Sequence, residues 1–179
     1  GTGKTILLQT LIMSLANTYS PREVNMYIMD FGGGALKSFE ELPHCGGVMT
    51  IDEEETINQF MLFVFRVIES RKTLFEGENV GSYISYLQTD KVLPGIFFFI
   101  DNYFALSETY EEIDDKMIIL AREGMKYGIY IIATATNVSF VKYKFSVNFK
   151  MAIALQLTEK IEYDSVVGRT DGLEPSSVL

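Results

Sequence analysis

Two short clusters carry most of the chemistry that this sequence can do. One is Gly1-Thr2-Gly3-Lys4-Thr5 at the head of a helical apolar pattern, and the other is Phe97-Phe98-Phe99-Ile100-Asp101. A glycine-rich turn leading into a helix offers backbone N–H groups to phosphate oxygens, while a lysine reaches the outer phosphates and a threonine hydroxyl ligates Mg²⁺. Four apolar residues followed by an acid describe a buried strand whose terminal carboxylate holds the metal's shell at the sheet's carboxyl edge. Alone, the first is also an ordinary turn before a helix, and the second an ordinary strand exit. Together they specify a nucleotide site in which Gly1, Thr2, Gly3, Lys4, Thr5 and Asp101 bind the nucleotide, with Thr5 and Asp101 on Mg²⁺. Only the last five of the eight positions of G-x-x-x-x-G-K-[ST] are present. The chain is therefore expected to start within its phosphate loop, with the strand that feeds the loop ahead of Gly1.

The residue after Asp101 bears on turnover. Many ATPases of this kind have a glutamate there to orient or deprotonate the attacking water. Here it is Asn102, whose amide can hydrogen-bond a water but cannot take its proton, so hydrolysis is expected to be slow. Glu108 is the alternative carboxylate for that role.

These residues must be positioned by elements that alternate along the chain. Ile6, Leu7, Leu11, Ile12 and Leu15 recur at helical spacing from Lys4 to about Thr18, and Val24 to Met29 reads as a buried strand ending in Asp30. Asp52 and Glu55 have capping-box spacing at the start of a long helix running to about Phe75. A weaker helix covers Val80 to Leu87, a strand Ile96 to Asp101, a helix Glu111 to Tyr127 and a strand Ile129 to Thr134. Met151 to Leu157 reads as a further strand and Glu159 to Val167 as a short helix ended by Gly168. Strands alternating with helices predict an α/β domain with a mainly parallel sheet. The absence of repeats and linkers predicts one domain over residues 1–179.

Composition narrows the partners. With 15 Lys+Arg against 24 Asp+Glu, the net charge of -9 disfavours tight binding to nucleic acid. The single Cys45 excludes an intramolecular disulfide, and the single His44 excludes a multi-histidine metal site, so that pair is read as loop or packing. The basic stretch Val141-Lys142-Tyr143-Lys144-Phe145 is read as a loop or subunit contact, the acidic run from Glu108 to Asp115 as a solvated helix start, and Tyr27, Tyr127 and Tyr130 as packing.

Taken in order, Gly3-Lys4-Thr5, Tyr27-Ile28-Met29-Asp30, Leu42-Pro43-His44, the Asp101 strand and Ile131-Ile132-Ala133-Thr134 resemble the FtsK/SpoIIIE family of ring-forming motor ATPases. Asp30-Phe31-Gly32-Gly33-Gly34-Ala35-Leu36, Leu42 through Gly47 and Val167-Gly168-Arg169 look more specifically like the tandem ATPase modules of EssC/EccC proteins of type VII secretion, the second module in particular. By themselves these glycines read as flexible turns. The resemblance implies a three-layer RecA-like P-loop core that binds ATP and Mg²⁺. It implies that the central P-loop strand lies between the strand ending at Thr134 and one beginning near Lys150, so that without it the sheet has an unpaired edge there.

The family's pattern has Ala-Thr-Gln where this chain has Ala133-Thr134-Ala135, and an arginine finger where Lys150 stands. Lysine supplies a point charge without a planar fork and stabilises transition-state charge less well. With Asn102, these departures imply a module that binds ATP and turns it over weakly or not at all. Sister ATPase modules, small helical secreted proteins and a place at the cytoplasmic face of the bacterial cell membrane, tethered by other parts of a parent protein, follow from the same resemblance. An active DNA translocase subunit of the family is the alternative, and a pure interaction module with a vestigial nucleotide site a third.

Overall fold

The structure, a computed structural model, describes residues 3–172 and 174–178. The apolar runs expected to be buried strands form one sheet. In chain order the elements are α1 (Lys4–Thr18), β1 (Val24–Asp30), β2 (Cys45–Thr50), α2 (Glu54–Gly77), α3 (Tyr83–Leu87), β3 (Gly95–Asp101), α4 (Tyr103–Thr109), α5 (Glu111–Glu123), β4 (Ile129–Ala133), α6 (Tyr143–Ser146) and α7 (Lys160–Val167). The strands are ordered β2-β1-β3-β4 and every pairing is parallel. Parallel strands need crossovers on the sheet faces, and covered faces are why β1 and β3 are mostly apolar up to their terminal aspartates.

Side chains alternate across β3. Ile96, Phe98 and Ile100 join α2, α4 and α5 on one face, with Ile57, Met61, Val64, Met117 and Leu120. Phe99, with Met26 and Ile28 of β1, meets Leu8 and Ile12 of α1 on the other. The result is the expected three-layer α/β arrangement, in which β1 and β3 end side by side at Asp30 and Asp101.

Several boundaries differ from the sequence expectation. β2 departs from the sequence pattern, because Cys45-Gly46-Gly47 reads as a turn. Gly46 belongs in the strand because a Cβ there would stand 2.3 Å from a Tyr27 ring carbon. α2 begins without the Asp52–Glu55 capping box: Glu53 occupies the cap position, and its carboxylate turns back to accept from the Thr50 N–H at 2.6 Å and Oγ1 at 2.8 Å. The helix expected to end at Tyr127 is α5 followed by a 3₁₀ turn over Gly124–Tyr127, closed by Gly128 at φ 74°. A real capping box, Glu159 with Glu162, starts α7.

Residues 151–157 are not a strand. Large and small apolar residues alternate there, but the segment pairs with no strand among the described residues. β4 pairs with β3 and, among the described residues, with nothing on its other side. The unpaired edge implied by the family topology is therefore present. Met151 and Ile153 are 83% and 62% exposed.

The acidic run holds one surprise. Asp114 is not solvated but fully buried on α5, accepting a short hydrogen bond from Tyr103 Oη and pairing with Lys142 Nζ at 2.5 Å. Phe145 stacks on Tyr103 with ring centroids 3.9 Å apart, so the basic stretch is stapled to α4 and α5. Tyr27, Tyr127 and Tyr130 pack as expected, against Phe60, Phe75 and Phe97. His44 is buried at the entry to β2, its Nε2 2.7 Å from the Tyr19 carbonyl.

Candidate functional site

The two clusters that are 96 residues apart in sequence meet at the carboxyl edge of the sheet. Thr5 sits in the first turn of α1, whose start is Gly3 at φ 81° with no side-chain cap. Its hydroxyl donates to Asp101 Oδ2 at 2.8 Å. The other carboxylate oxygen, Oδ1, accepts from the Thr134 hydroxyl at 2.6 Å. Thr134 follows β4, and its own oxygen accepts from the Asn102 N–H at 2.9 Å. Asp101 is 3% exposed, so its charge is held by these hydroxyls rather than by bulk water.

Asn102 turns the chain from β3 into α4 with a left-handed backbone, φ 68° and ψ 67°, which asparagine tolerates better than most residues. Its Nδ2 donates to the Phe31 carbonyl at 3.4 Å. The amide is thus directed at the glycine loop after β1. Glu108 is exposed toward the far end of α4, about 9 Å along the helix axis from Asn102 at 1.5 Å per residue, and is unsuited to act beside Asp101. Lys150 is exposed, and no hydrogen bond joins it to this group among the described residues. Gly1 and Thr2 lie outside the described residues, while Gly3, Lys4, Thr5 and Asp101 come together at one edge.

The glycine loop is fixed rather than a flexible turn. Asp30 is buried, accepting from Gly34 N–H at 3.1 Å through Oδ1 and from Leu36 N–H at 2.7 Å through Oδ2. Gly33 and Gly34 have φ of 121° and 84°, a region that residues bearing a side chain rarely enter. Gly32 lies against the carboxylate: a Cβ there would stand 2.2 Å from Asp101 Oδ2. Sequence reasoning missed Thr134, Asp30 and Gly32 as parts of the site. The available signal was two strands that both end in aspartate at the same sheet edge.

Mg²⁺ prefers hard oxygen donors, takes few from the protein and keeps waters and phosphate oxygens for the rest. A threonine hydroxyl and a buried carboxylate side by side at a helix start match that demand. No cluster of three or more His, Cys, Asp or Glu able to hold a metal exists among the described residues, so a metal here would need oxygens from a ligand or water.

The sequence model of the FtsK/SpoIIIE family matches residues 1–170. The chain belongs to the FtsK/SpoIIIE family. Among its relatives is the ESX secretion system protein YukB of Bacillus subtilis (strain 168), 34% identical over 177 residues that make up 98% of this chain and 12% of that protein. The chain thus spans between about an eighth and a quarter of the length of the curated relatives it matches. EssC (ATPases 2 and 3) from Geobacillus thermodenitrificans superimposes with a TM-score of 0.90 at 32% identity, over 96% of this chain and 33% of that one. Thermomonospora curvata EccC (ATPases 2 and 3), solved with a signal sequence peptide, superimposes at 0.85 and 30% identity, over 91% of this chain and 31% of that one. This FtsK/SpoIIIE chain therefore has the P-loop ATPase fold of those type VII secretion proteins. No helix among its described residues is long and apolar enough to cross a membrane.

Proposed function

We propose that this chain is one ATPase module, spanning residues 1–179, of a type VII secretion motor, and that it binds MgATP while turning it over weakly or not at all. The observation that carries the binding half is the hydrogen bond from Thr5 to Asp101, which joins the phosphate-loop residues to the strand-end carboxylate. Gly1, Thr2, Gly3 and Lys4 would hold the phosphates, and Thr5 and Asp101 would hold Mg²⁺. The nucleotide, once bound, supplies phosphoanhydride bonds whose cleavage needs a positioned water and a base. What this chain provides near Asp101 supports binding better than cleavage. Asn102 cannot accept a proton, its amide is directed toward Phe31, and Ala135 and Lys150 replace a glutamine and an arginine of the motor pattern.

The similarity to EssC, EccC and YukB supports sister ATPase modules as neighbours, a small helical secreted protein as the substrate, and a place at the cytoplasmic face of the bacterial cell membrane through other parts of a parent protein. ATP here would act as a structural or regulatory ligand. Equilibrium binding of a non-hydrolysable ATP analogue to the full-length gene product tests the site, with Asp101→Asn expected to remove the Mg²⁺-dependent part of the affinity. Binding that is indifferent to both Mg²⁺ and Asp101 would exclude the nucleotide reading. The DNA translocase alternative calls for hydrolysis stimulated by DNA and DNA binding that weakens steeply with salt, which a net charge of -9 opposes.

A further inference from the structure

The carboxylate of Asp101 is held from three directions. Thr5 donates to Oδ2 at 2.8 Å, Thr134 donates to Oδ1 at 2.6 Å, and the backbone of Gly32 closes on the Oδ2 side, where a Cβ would be 2.2 Å away. A hydroxyl has a single proton, and its direction at Thr134 is determined by the neighbours. The Asn102 N–H at 2.9 Å uses an oxygen lone pair, which leaves the proton for Asp101. Thr134 is itself fixed at both backbone ends, its N–H donating to the Ile100 carbonyl and its carbonyl accepting from the Tyr103 N–H, each at 2.9 Å. It is 8% exposed and β-branched, so few rotamers are open to it.

We propose that Thr134 is a positioning residue: its hydroxyl orients Asp101 so that Oδ2 faces Thr5 and the metal side of the nucleotide site. Each carboxylate oxygen accepts about two hydrogen bonds or metal contacts. With Oδ1 tied back to β4, the carboxylate cannot rotate about its Cβ–Cγ bond, and the remaining lone pair of Oδ2 stays on the α1 side. This inference rests on the MgATP reading of the same site, and adds that metal affinity depends on a side chain that itself touches neither metal nor phosphate.

The test measures the ATP dissociation constant of the full-length gene product in Mg²⁺ and in EDTA. Mn²⁺ affinity, read by electron paramagnetic resonance with a non-hydrolysable ATP analogue, is measured alongside. Thr134→Val keeps the shape and removes the hydroxyl, while Thr134→Ser keeps the hydroxyl. Loss of a partner one step behind a metal ligand typically costs 10 to 100-fold in metal affinity. Thr134→Val is therefore expected to weaken Mn²⁺ binding and Mg²⁺-dependent ATP binding by about 10-fold or more, to leave the affinity in EDTA unchanged, and Thr134→Ser to behave as wild type. Equal metal dependence in wild type and Thr134→Val overturns the assignment of Thr134 alone. Loss of ATP binding in EDTA for Thr134→Val and Thr134→Ala alike makes the hydroxyl a support of the fold and overturns it too. A wild type that ignores Mg²⁺ overturns the nucleotide reading itself, and this inference with it.

Discussion

Asp101 shows how little of a strand-end carboxylate's behaviour belongs to the carboxylate. Its two oxygens are divided between Thr5 and Thr134, and its open flank is closed by Gly32. Replacing Gly32 with alanine pushes a Cβ onto Oδ2, the oxygen that the Thr5 hydroxyl holds, in a carboxylate whose other oxygen is tied to Thr134. Gly32→Ala is expected to lower Mg²⁺-dependent ATP affinity by about 10-fold, as displaced partners of metal ligands do, with binding in EDTA unchanged when both are measured by titration calorimetry. Asn102 makes a separate point. Its left-handed backbone suits Asn or Gly, so Asn102→Gly should leave the melting temperature nearly unchanged. Asn102→Glu should cost about 1 kcal/mol of stability, the usual order for a side chain forced into that region. It should leave ATP affinity intact, and restored turnover in that variant would show that the missing carboxylate alone limits hydrolysis.

Two elements are held by buried charge rather than by apolar packing alone. Arg71 of α2 is 5% exposed and donates to the carbonyls of Pro94 at 2.5 Å and Tyr127 at 2.6 Å, which brackets the start of β3 and the start of β4. Its removal leaves part-buried carbonyls without donors, so Arg71→Leu is expected to lower unfolding free energy by about 2 kcal/mol, read by denaturant titration. At the other end, Tyr103, Asp114 and Lys142 join α4, α5 and the segment leading into α6. Burial first, then the bond to Asp114, pushes the Tyr103 phenol well above its ordinary value of 10.0. The bond to Asp114 raises Lys142 above 10.5. Both groups keep their protons longer folded than unfolded, so their stabilisation is complete below about pH 10 and lost as the pH rises past it. The melting temperature is expected to fall above pH 10, and to fall less steeply in Tyr103→Phe. An equal slope in that variant would remove the network from the explanation.

Across the whole molecule, the parts legible in the sequence are those that depend on local pattern. β3 and β4 are continuous apolar runs and β1 is one broken only by Asn25, α1 and α2 carry helical periodicity, and Thr5 and Asp101 stand in motifs whose chemistry fixes their residue types. What depends on a partner is not legible. Residues 151–157 have the pattern of a strand but pair with none among the described residues, whereas β2 has glycines that suggest a turn and a partner, β1, that makes it a strand. Asp114 reads as one of many solvated acids until Tyr103 and Lys142 close over it, and Thr134 reads as the end of a strand until Asp101 lies beneath its hydroxyl. At the largest scale the chain matches 12% of the length of YukB, so its place in an assembly is the part least carried by local pattern. The most direct test is a rapid-quench experiment on the full-length gene product with γ-labelled ATP and Mg²⁺, in which bound ATP and released phosphate are read from the same samples. At this site, identified by its loss in Asp101→Asn, the expected result is ATP retained with turnover well below about 1 s⁻¹, the low end of ordinary enzymes. Asp101-dependent turnover at or above that rate, or Mg²⁺-independent retention of ATP, would contradict a module that binds MgATP without spending it.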